Sequence, residues 1–556
     1  MLKIKNIIVS TLIVAGFSAC SESTPSNTGD TPSVEHSTIN HAPSINALSQ
    51  QILTSPVNTS FTFEIEASDI DNDPVDYHWS IIQTPDRLGG YLSPGYTSAE
   101  FVGINAGEYV IGVYVDDGEL ESEHLEFSIT YTSNNPVVFG SSGFDYGFAS
   151  TFDQDGNIYV VGLSSGDIGD VVGLGGEDAF VAKFSNDLNL TWVKIFGSSD
   201  DDLATSVAID KDGYIYVGGS SEGGVQDGIT LNGNPHFTNF IAKYDNNGTQ
   251  LWLEQNISLE VRDGAPSNLN ALSDMVVDSN SNVYMIGTTD FYAPSSAGFA
   301  DPKDAFLVKL NKDGQEIFTK FYGSDEPNDG RSISIDQNDN IYLALNTRRT
   351  SVSNGDGTFS NHYSDIQIKK INTSGDEIWS KTFGSLADDY VNSIYISQEN
   401  HLYFTGNTEG KFVEAVSGDS YSLKGNSDII TAEINASTGE YIWVDQFGSM
   451  GAISNAMSLK STASNSLLIA GYSNGDQGLA TALGNDDIFS TSYTINGDFA
   501  YTGFKELYGT SDANRAYDLI ILNKGNTQGM YLIGGTIGGL EQKSGLGGSD
   551  IFIYQP

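Results

Sequence analysis

The chain has 556 residues, 39% of them hydrophobic, with 72 acidic against 25 basic side chains and a formal charge of −47. That length and apolar content suit two or three folded domains, while the charge repels phosphate backbones and makes nucleic acid a poor partner. One cysteine excludes an internal disulfide framework and any site built from several thiolates.

Residues 1–19 read as an export signal, since Lys3 and Lys5 precede an apolar run from Ile7 to Phe17 that is too short for a membrane span. The ending 17-FSAC-20 resembles a bacterial lipobox, with Ser18, Ala19 and Cys20 in place and Phe17 where leucine is usual. The resemblance implies that Cys20 becomes the lipidated, palmitate-bearing first residue of a lipoprotein. Ser21 stands where an aspartate would retain it at the inner membrane, which implies the outer membrane of a cell envelope. The rest of 20–42 is rich in Ser, Thr, Pro and Asn and reads as a flexible tether.

From 43 to 134 the apolar residues alternate. Phe61, Phe63, Ile65 and Ala67 share one face of a predicted strand, as do Tyr109, Ile111, Val113 and Val115, and then Leu125, Phe127, Ile129 and Tyr131. Half-buried strands of a β-sandwich have this pattern. The stretches 68-SDIDNDPVDYHWS-80 and 107-GEYVIGVYVDDGE-119 resemble Ig-like modules of the PKD and cadherin-like kind. That implies a core role for Trp79 and a corner role for Tyr109.

The remainder, 136–556, is a repeat. Tyr159, Tyr216, Tyr284, Tyr342, Tyr403, Leu468 and Tyr531 occupy equivalent positions, each within a unit of four strand-like pieces. Trp192, Trp252, Trp379 and Trp443 stand at one position of the fourth piece, so four of the five tryptophans share one geometry. Four short strands in each of seven units predict an all-β fold, a seven-bladed propeller following the sandwich. The last unit stops after its third piece, and 136-PVVFGSS-142 matches the fourth piece 193-VKIFGSS-199. The first strand of the region is therefore expected to close the ring from the outside and remove an exposed sheet edge. The copy 156-GNIYVVG-162 resembles the bacterial SBBP propeller repeat, a family defined by architecture, which implies no particular activity.

The recurring 153-DQDGN-157 and its echoes lie between the first and second pieces of each unit. They suit tight turns. A calcium EF-hand loop needs glycine at its sixth position and an acid at its twelfth, where this chain has Ile158 and Ser164. The aspartates that lead the third pieces (Asp178, Asp304, Asp365, Asp428, Asp487, Asp550) recur too often for catalysis and are expected to bond loop backbone.

Two places could carry chemistry. The long loops between second and third strands hold His236, Phe237, Phe291, Tyr292, Arg348, Arg349, His362 and Tyr363, aromatic and polar groups able to stack on sugars or peptides. In the sandwich, Asp69, Asp71 and Asp73 lie in one loop and Asp116 and Asp117 in another at the same end. Those carboxylates either converge on calcium or are solvated turn residues.

The expected function is noncatalytic binding or adhesion at the cell envelope, with membrane contact through the lipid and a glycan, protein or extracellular polymer as ligand. The alternatives are a propeller-based lyase or hydrolase acting on polysaccharide, and a structural subunit of an envelope assembly. Against an enzyme, only His236, His362 and His401 fall in the propeller, and no nucleophile triad, zinc spacing or nucleotide loop is present.

Overall fold

The computed structural model describes residues 40–46, 53–56, 60–84, 90–103, 107–132, 136–186, 188–225, 238–255, 270–289, 304–322, 327–348, 363–412, 423–462, 466–476, 482–496, 499–524, 527–540, 543–544 and 546–556. Every regular element among them is a β-strand. The chain divides into two compact units, Met1–Thr132 and Ser133–Pro556.

In the first unit a four-stranded sheet, in the order Leu53–Pro56, Leu125–Thr132, Gly107–Asp116 and Asp76–Gln83, shares a core with a three-stranded sheet of Ser60–Glu64, Ser98–Gly103 and Gly90–Pro94. Phe63, Phe101, Tyr109, Ile111 and Ile129 are buried there, with Trp79 and Phe127 packed against them. The alternating run 61–67 divides at Ile65. Ser60–Glu64 stays in the three-stranded sheet, and Glu66–Ser68 pairs instead with Ser44–Asn46. The Ile65 amide, bonded to the Thr97 carbonyl at 3.1 Å, marks the change of partner. The in–out alternation continues through it, so the pattern alone predicts one strand.

The second unit is a β-propeller built from seven four-stranded antiparallel sheets among the described residues. Sheet one runs Asp145–Phe152, Ile158–Ser164, Asp178–Phe184, Leu190–Phe196. Sheets two to six repeat that order from first strands Asp202–Ile209, Asn270–Val277, Asn328–Ile335, Asp389–Ile396 and Ser454–Ser461. Sheet seven takes Asn514–Lys524, Thr527–Thr536 and Asp550–Tyr554 from the end of the chain and Val137–Phe139 from the start of the unit. The outer pairing sets Val137 opposite Ile553, Val138 opposite Phe552 and Phe139 opposite Ile551. Middle strands such as Ile158–Ser164 and Asp178–Phe184 are buried at every residue, because a neighbouring sheet packs on each face. Their near-continuous apolar composition follows from that double burial.

Where the full set recurs, its residues meet at one end of the sheet. Asp153 accepts the amides of Asp155 and Asn157 at 3.0 and 2.9 Å and the Tyr159 hydroxyl at 3.0 Å, while Gly156 takes the left-handed φ of 78° that closes the turn. Lys183 lies 3.7 Å from the same carboxylate and, like Trp192 Nε1 at 3.2 Å, donates to Asn246 in the next sheet. Sheet two repeats this with Asp210, Tyr216, Lys243 and Trp252, whose Nζ and Nε1 reach the Lys312 carbonyl at 3.2 and 3.3 Å. In sheet four Lys370 and Trp379 both reach the Ala436 carbonyl at 3.2 Å. In sheets one to four the repeat is thus a latch to the next sheet, and in sheets one, two and four the aspartate of the turn is occupied by the chain's own donors. Sheet five reverses the charges: Glu433 replaces the lysine, bonds His401 at 2.6 Å and accepts Trp443 Nε1 at 2.7 Å.

Candidate binding site in the central cavity

The first strands of all seven sheets line one cavity of about 440 Å³. Each of these strands carries an irregularity at the same place: between Gly147 and Ala149, Ala204 and Ser206, Leu272 and Asp274, Gly330 and Ser332, Val391 and Ser393, Ala456 and Ser458, and Ala516 and Asp518. A bulge adds one residue and re-aims its side chain. The added residues are Phe148, Thr205, Ser273, Arg331, Asn392, Met457 and Tyr517, and all seven line the cavity.

Two of the residues that follow a bulge, Asp274 and Asp518, stitch neighbouring sheets together. Asp274 accepts the Ser206 and Ser332 hydroxyls at 3.1 and 2.9 Å and the amides of Met275 and Ile333 at 2.8 and 3.0 Å, clasping sheets two, three and four. Burial pushes its carboxyl above the usual range, against the pull of these donors. Asp518 does the same for sheets six, seven and one. It accepts the Ser458 hydroxyl at 2.8 Å, the Ser150 amide and hydroxyl at 2.8 and 2.7 Å, and the Leu519 amide at 2.8 Å.

One side of the cavity is aromatic. The Phe148 ring lies 5.5 Å from that of Tyr517 and 6.2 Å from a nearly parallel Tyr146, and Tyr472 stands 6.3 Å from Tyr517. All four rings are half-buried. Arg515 lies 5.0 Å over the Tyr472 ring and is paired at 2.6 Å with Asp486. Burial raises the phenols of Tyr472 and Tyr517, so both stay neutral donors. Gly535 makes room for this wall, since a Cβ there would come within 2.4 Å of the Tyr146 ring. The opposing run of bulges is polar: Ser273, Arg331 and Asn392.

A second set of titratable groups sits between sheets. Asp178 with Asp202, Asp365 with Asp389, and Asp550 with Asp145 form buried carboxyl pairs across three junctions. Asp202 Oδ2 and Asp178 Oδ1 both crowd the space beside Gly197, at 2.4 and 2.9 Å from where a Cβ would stand. Asp202 and Asp389 are each pushed up to about 6, first by burial; serine and threonine hydroxyls and an amide pull down, and the facing aspartate adds to the rise. Four of the strand-leading aspartates bond loop backbone as well: Asp178, Asp428, Asp487 and Asp550 each accept two amides from the preceding turn.

Of the loop candidates, His236, Phe237, Phe291, Tyr292, Arg349 and His362 lie outside the described residues, as does Cys20. Arg348 is exposed and Tyr363 half-buried, at the two ends of one loop in sheet four. In the sandwich, Asp69 accepts the amides of Asp71 and Asp73 at 2.7 and 3.2 Å, and Asp117 those of Glu119 and Leu120 at 2.8 Å each. Asp71 holds His41 at 2.9 Å, Asp116 bonds His78, and the Asn40 amide reaches Asp117 at 3.2 Å. Among the described residues no group of three or more His, Cys, Asp or Glu converges as a cation would require. Asp69, Asp116 and Asp117 accept turn amides, Asp71 and Asp116 hold histidines, and Asp73 donates its backbone amide to Asp69.

The cavity wall was not among the residues that the sequence singled out. Its signal is a column that varies inside a constant frame: a small or aliphatic residue, then Phe148, Thr205, Ser273, Arg331, Asn392, Met457 or Tyr517, then Ala, Ser or Asp.

Residues 191–224 match the SBBP β-propeller repeat model. Searched against curated proteins, the sequence matches none. Among solved structures, the chain is similar to an ulvan lyase, a polysaccharide lyase, at 12% identity over 75% of this chain and 94% of that one, with a TM-score of 0.42. It is similar to the hydrazine synthase of Kuenenia stuttgartiensis at 11% identity, over 70% and 92% of the two chains, with a TM-score of 0.40. A third similarity, to YCF48 bound to a D1 peptide, has 8% identity over 75% and 94%, with a TM-score of 0.35.

Proposed function

We propose that this chain is a lipoprotein of the bacterial cell envelope, anchored at the outer membrane through Cys20. It carries an Ig-like module and a closed seven-bladed propeller, and the propeller binds a glycan without transforming it. The observation that carries the reading is the pair of rings Phe148 and Tyr517 on one side of the central cavity, with Tyr146 and Tyr472 packed against them. Flat, half-buried rings with hydroxyl donors offer both the apolar face and the polar edge that a sugar presents. Asp274 and Asp518, the carboxyls of the cavity, each take four hydrogen bonds and are held as clasps, which favours binding over acid–base chemistry.

Glycan-array and calorimetric titration of the full chain in detergent tests this. Removal of a stacking ring in Tyr517→Ala or Phe148→Ala is expected to weaken glycan binding about tenfold each. Retained affinity in both variants would sink the reading.

A second reading, a subunit of an envelope assembly, is favoured by apolar side chains on the face that carries the loops between second and third strands and the links between sheets. Leu174, Leu386, Met450, Leu483 and Leu546 are all exposed there, Met450 at 95%. Exposed apolar groups gathered on one face mark contact surfaces. Sedimentation of the full chain in detergent decides it: a defined oligomer that Leu386→Glu and Met450→Glu dissolve supports the assembly, and a monomer at all concentrations removes it.

A further inference from the structure

The geometry points to a glycan that bears an acidic group, a carboxylate or a sulfate ester, read by Arg331 from the side of the cavity opposite the aromatic wall. This rests on the binding reading above and names the chemical class of its ligand. Arg331 is the bulge residue of sheet four, exposed, on the cavity lining, and without a hydrogen-bond or ion-pair partner among the described residues. The two acids of that lining leave it none: Asp274 and Asp518 are each saturated by serine hydroxyls and backbone amides. An unpaired guanidinium in a chain with 72 acidic and 25 basic residues stands out, because nearly three carboxylates are available for every cation.

Its neighbours in the ring suit a hydroxylated ligand. Asn392 uses its amide hydrogens on the Ala456 carbonyl at 2.9 Å and Asn407 Oδ1 at 3.3 Å, so its own oxygen remains to accept from a sugar hydroxyl. Ser273, on the other flank, offers a hydroxyl. Lys460, whose ammonium lies 5.5 Å over the Tyr395 ring, adds a second positive charge to the lining. A guanidinium fork matches the paired oxygens of a carboxylate or sulfate, and a walled cavity strengthens that attraction over bulk water. A sugar ring on Tyr517 and Phe148 with its anionic substituent toward Arg331 uses both sides of the cavity at once.

The test is calorimetry of the full chain in detergent with three hexasaccharides: a polyuronate, a sulfated galactan and a neutral glucan. At 0.1 M salt at least one acidic probe is expected to bind about tenfold or more tighter than the neutral one, the weight of one charge-assisted fork. Arg331→Ala removes that preference and leaves the melting temperature unchanged, because the side chain is exposed. Arg331→Lys keeps a weaker, more salt-sensitive preference. The uronate and sulfate arms say which acidic group is read. Equal binding of the neutral glucan, or a preference that survives in Arg331→Ala, overturns the inference while the glycan reading stands. No binding of any probe, with none on a broader array, overturns both.

Discussion

The two ends of a propeller strand teach different lessons. At the latch end, sheets one and two use the same four residue types at the same places: Asp153, Tyr159, Lys183 and Trp192 become Asp210, Tyr216, Lys243 and Trp252. At the bulge the same two sheets carry Phe148 and Thr205, and the next five carry Ser, Arg, Asn, Met and Tyr. A residue that must join each sheet to the next is bound by geometry to repeat. A residue that faces an open cavity is free to differ, and a ligand that touches several sheets requires it to. Repetition therefore marks the frame, and its failure marks the site.

The largest expected effect comes from breaking the latch. Asp210 is buried, accepts the Tyr216 hydroxyl at 3.1 Å and two turn amides, and sits 3.9 Å from a buried Lys243. Asp210→Ala removes the carboxylate that faces that ammonium and accepts the phenol, and is expected to cost about 3–5 kcal/mol in chemical denaturation. A loss under about 1 kcal/mol would mean that the latch is ornamental.

Next in size is a stabilising change at the junctions. Asp202 and Asp389 are raised from 3.8 to about 6, so the folded protein holds their protons more tightly than the unfolded chain. Their contribution is complete below about pH 4 and is lost as pH rises through 6. Asp202→Asn and Asp389→Asn keep a neutral group at the site. Each variant is expected to exceed the parent by about 1–3 kcal/mol at pH 8, with the gap closing toward pH 4. A gap that does not change with pH would place the shift elsewhere.

The smallest stability effect belongs to the cavity wall. Tyr517→Ala and Arg331→Ala are expected to change unfolding free energy by about 1 kcal/mol or less while altering ligand affinity or selectivity about tenfold. If they unfold the protein as Asp210→Ala does, the division between frame and site fails.

Much of the frame could be read from the chain. The tyrosine and tryptophan positions, the turns at Asp153 and its echoes, and the return of 136–140 to the last sheet all follow from comparing one unit with another. The change of sheet at Ile65 could not be read, because alternation is blind to which strand lies alongside. Nor could the cavity wall. A bulge shifts the in–out order by one, so period-two counting assigns Phe148 and Tyr517 to the wrong face, and Tyr472 reaches Tyr517 only through the packing of two sheets. The long loops offer Arg348 and Tyr363 at the two ends of a single loop, while Arg331 lines the cavity in the same sheet.

The most direct measurement is hydrogen–deuterium exchange of the full chain with and without a saturating bound glycan. New protection is expected in the first strands of sheets seven and one, across 514–524 and 145–152, and in 328–335 of sheet four, with the latch turns at 153–157 and 210–214 unchanged. Protection confined to the latch turns or the outer strands, with the cavity strands unaltered, would contradict binding in the cavity.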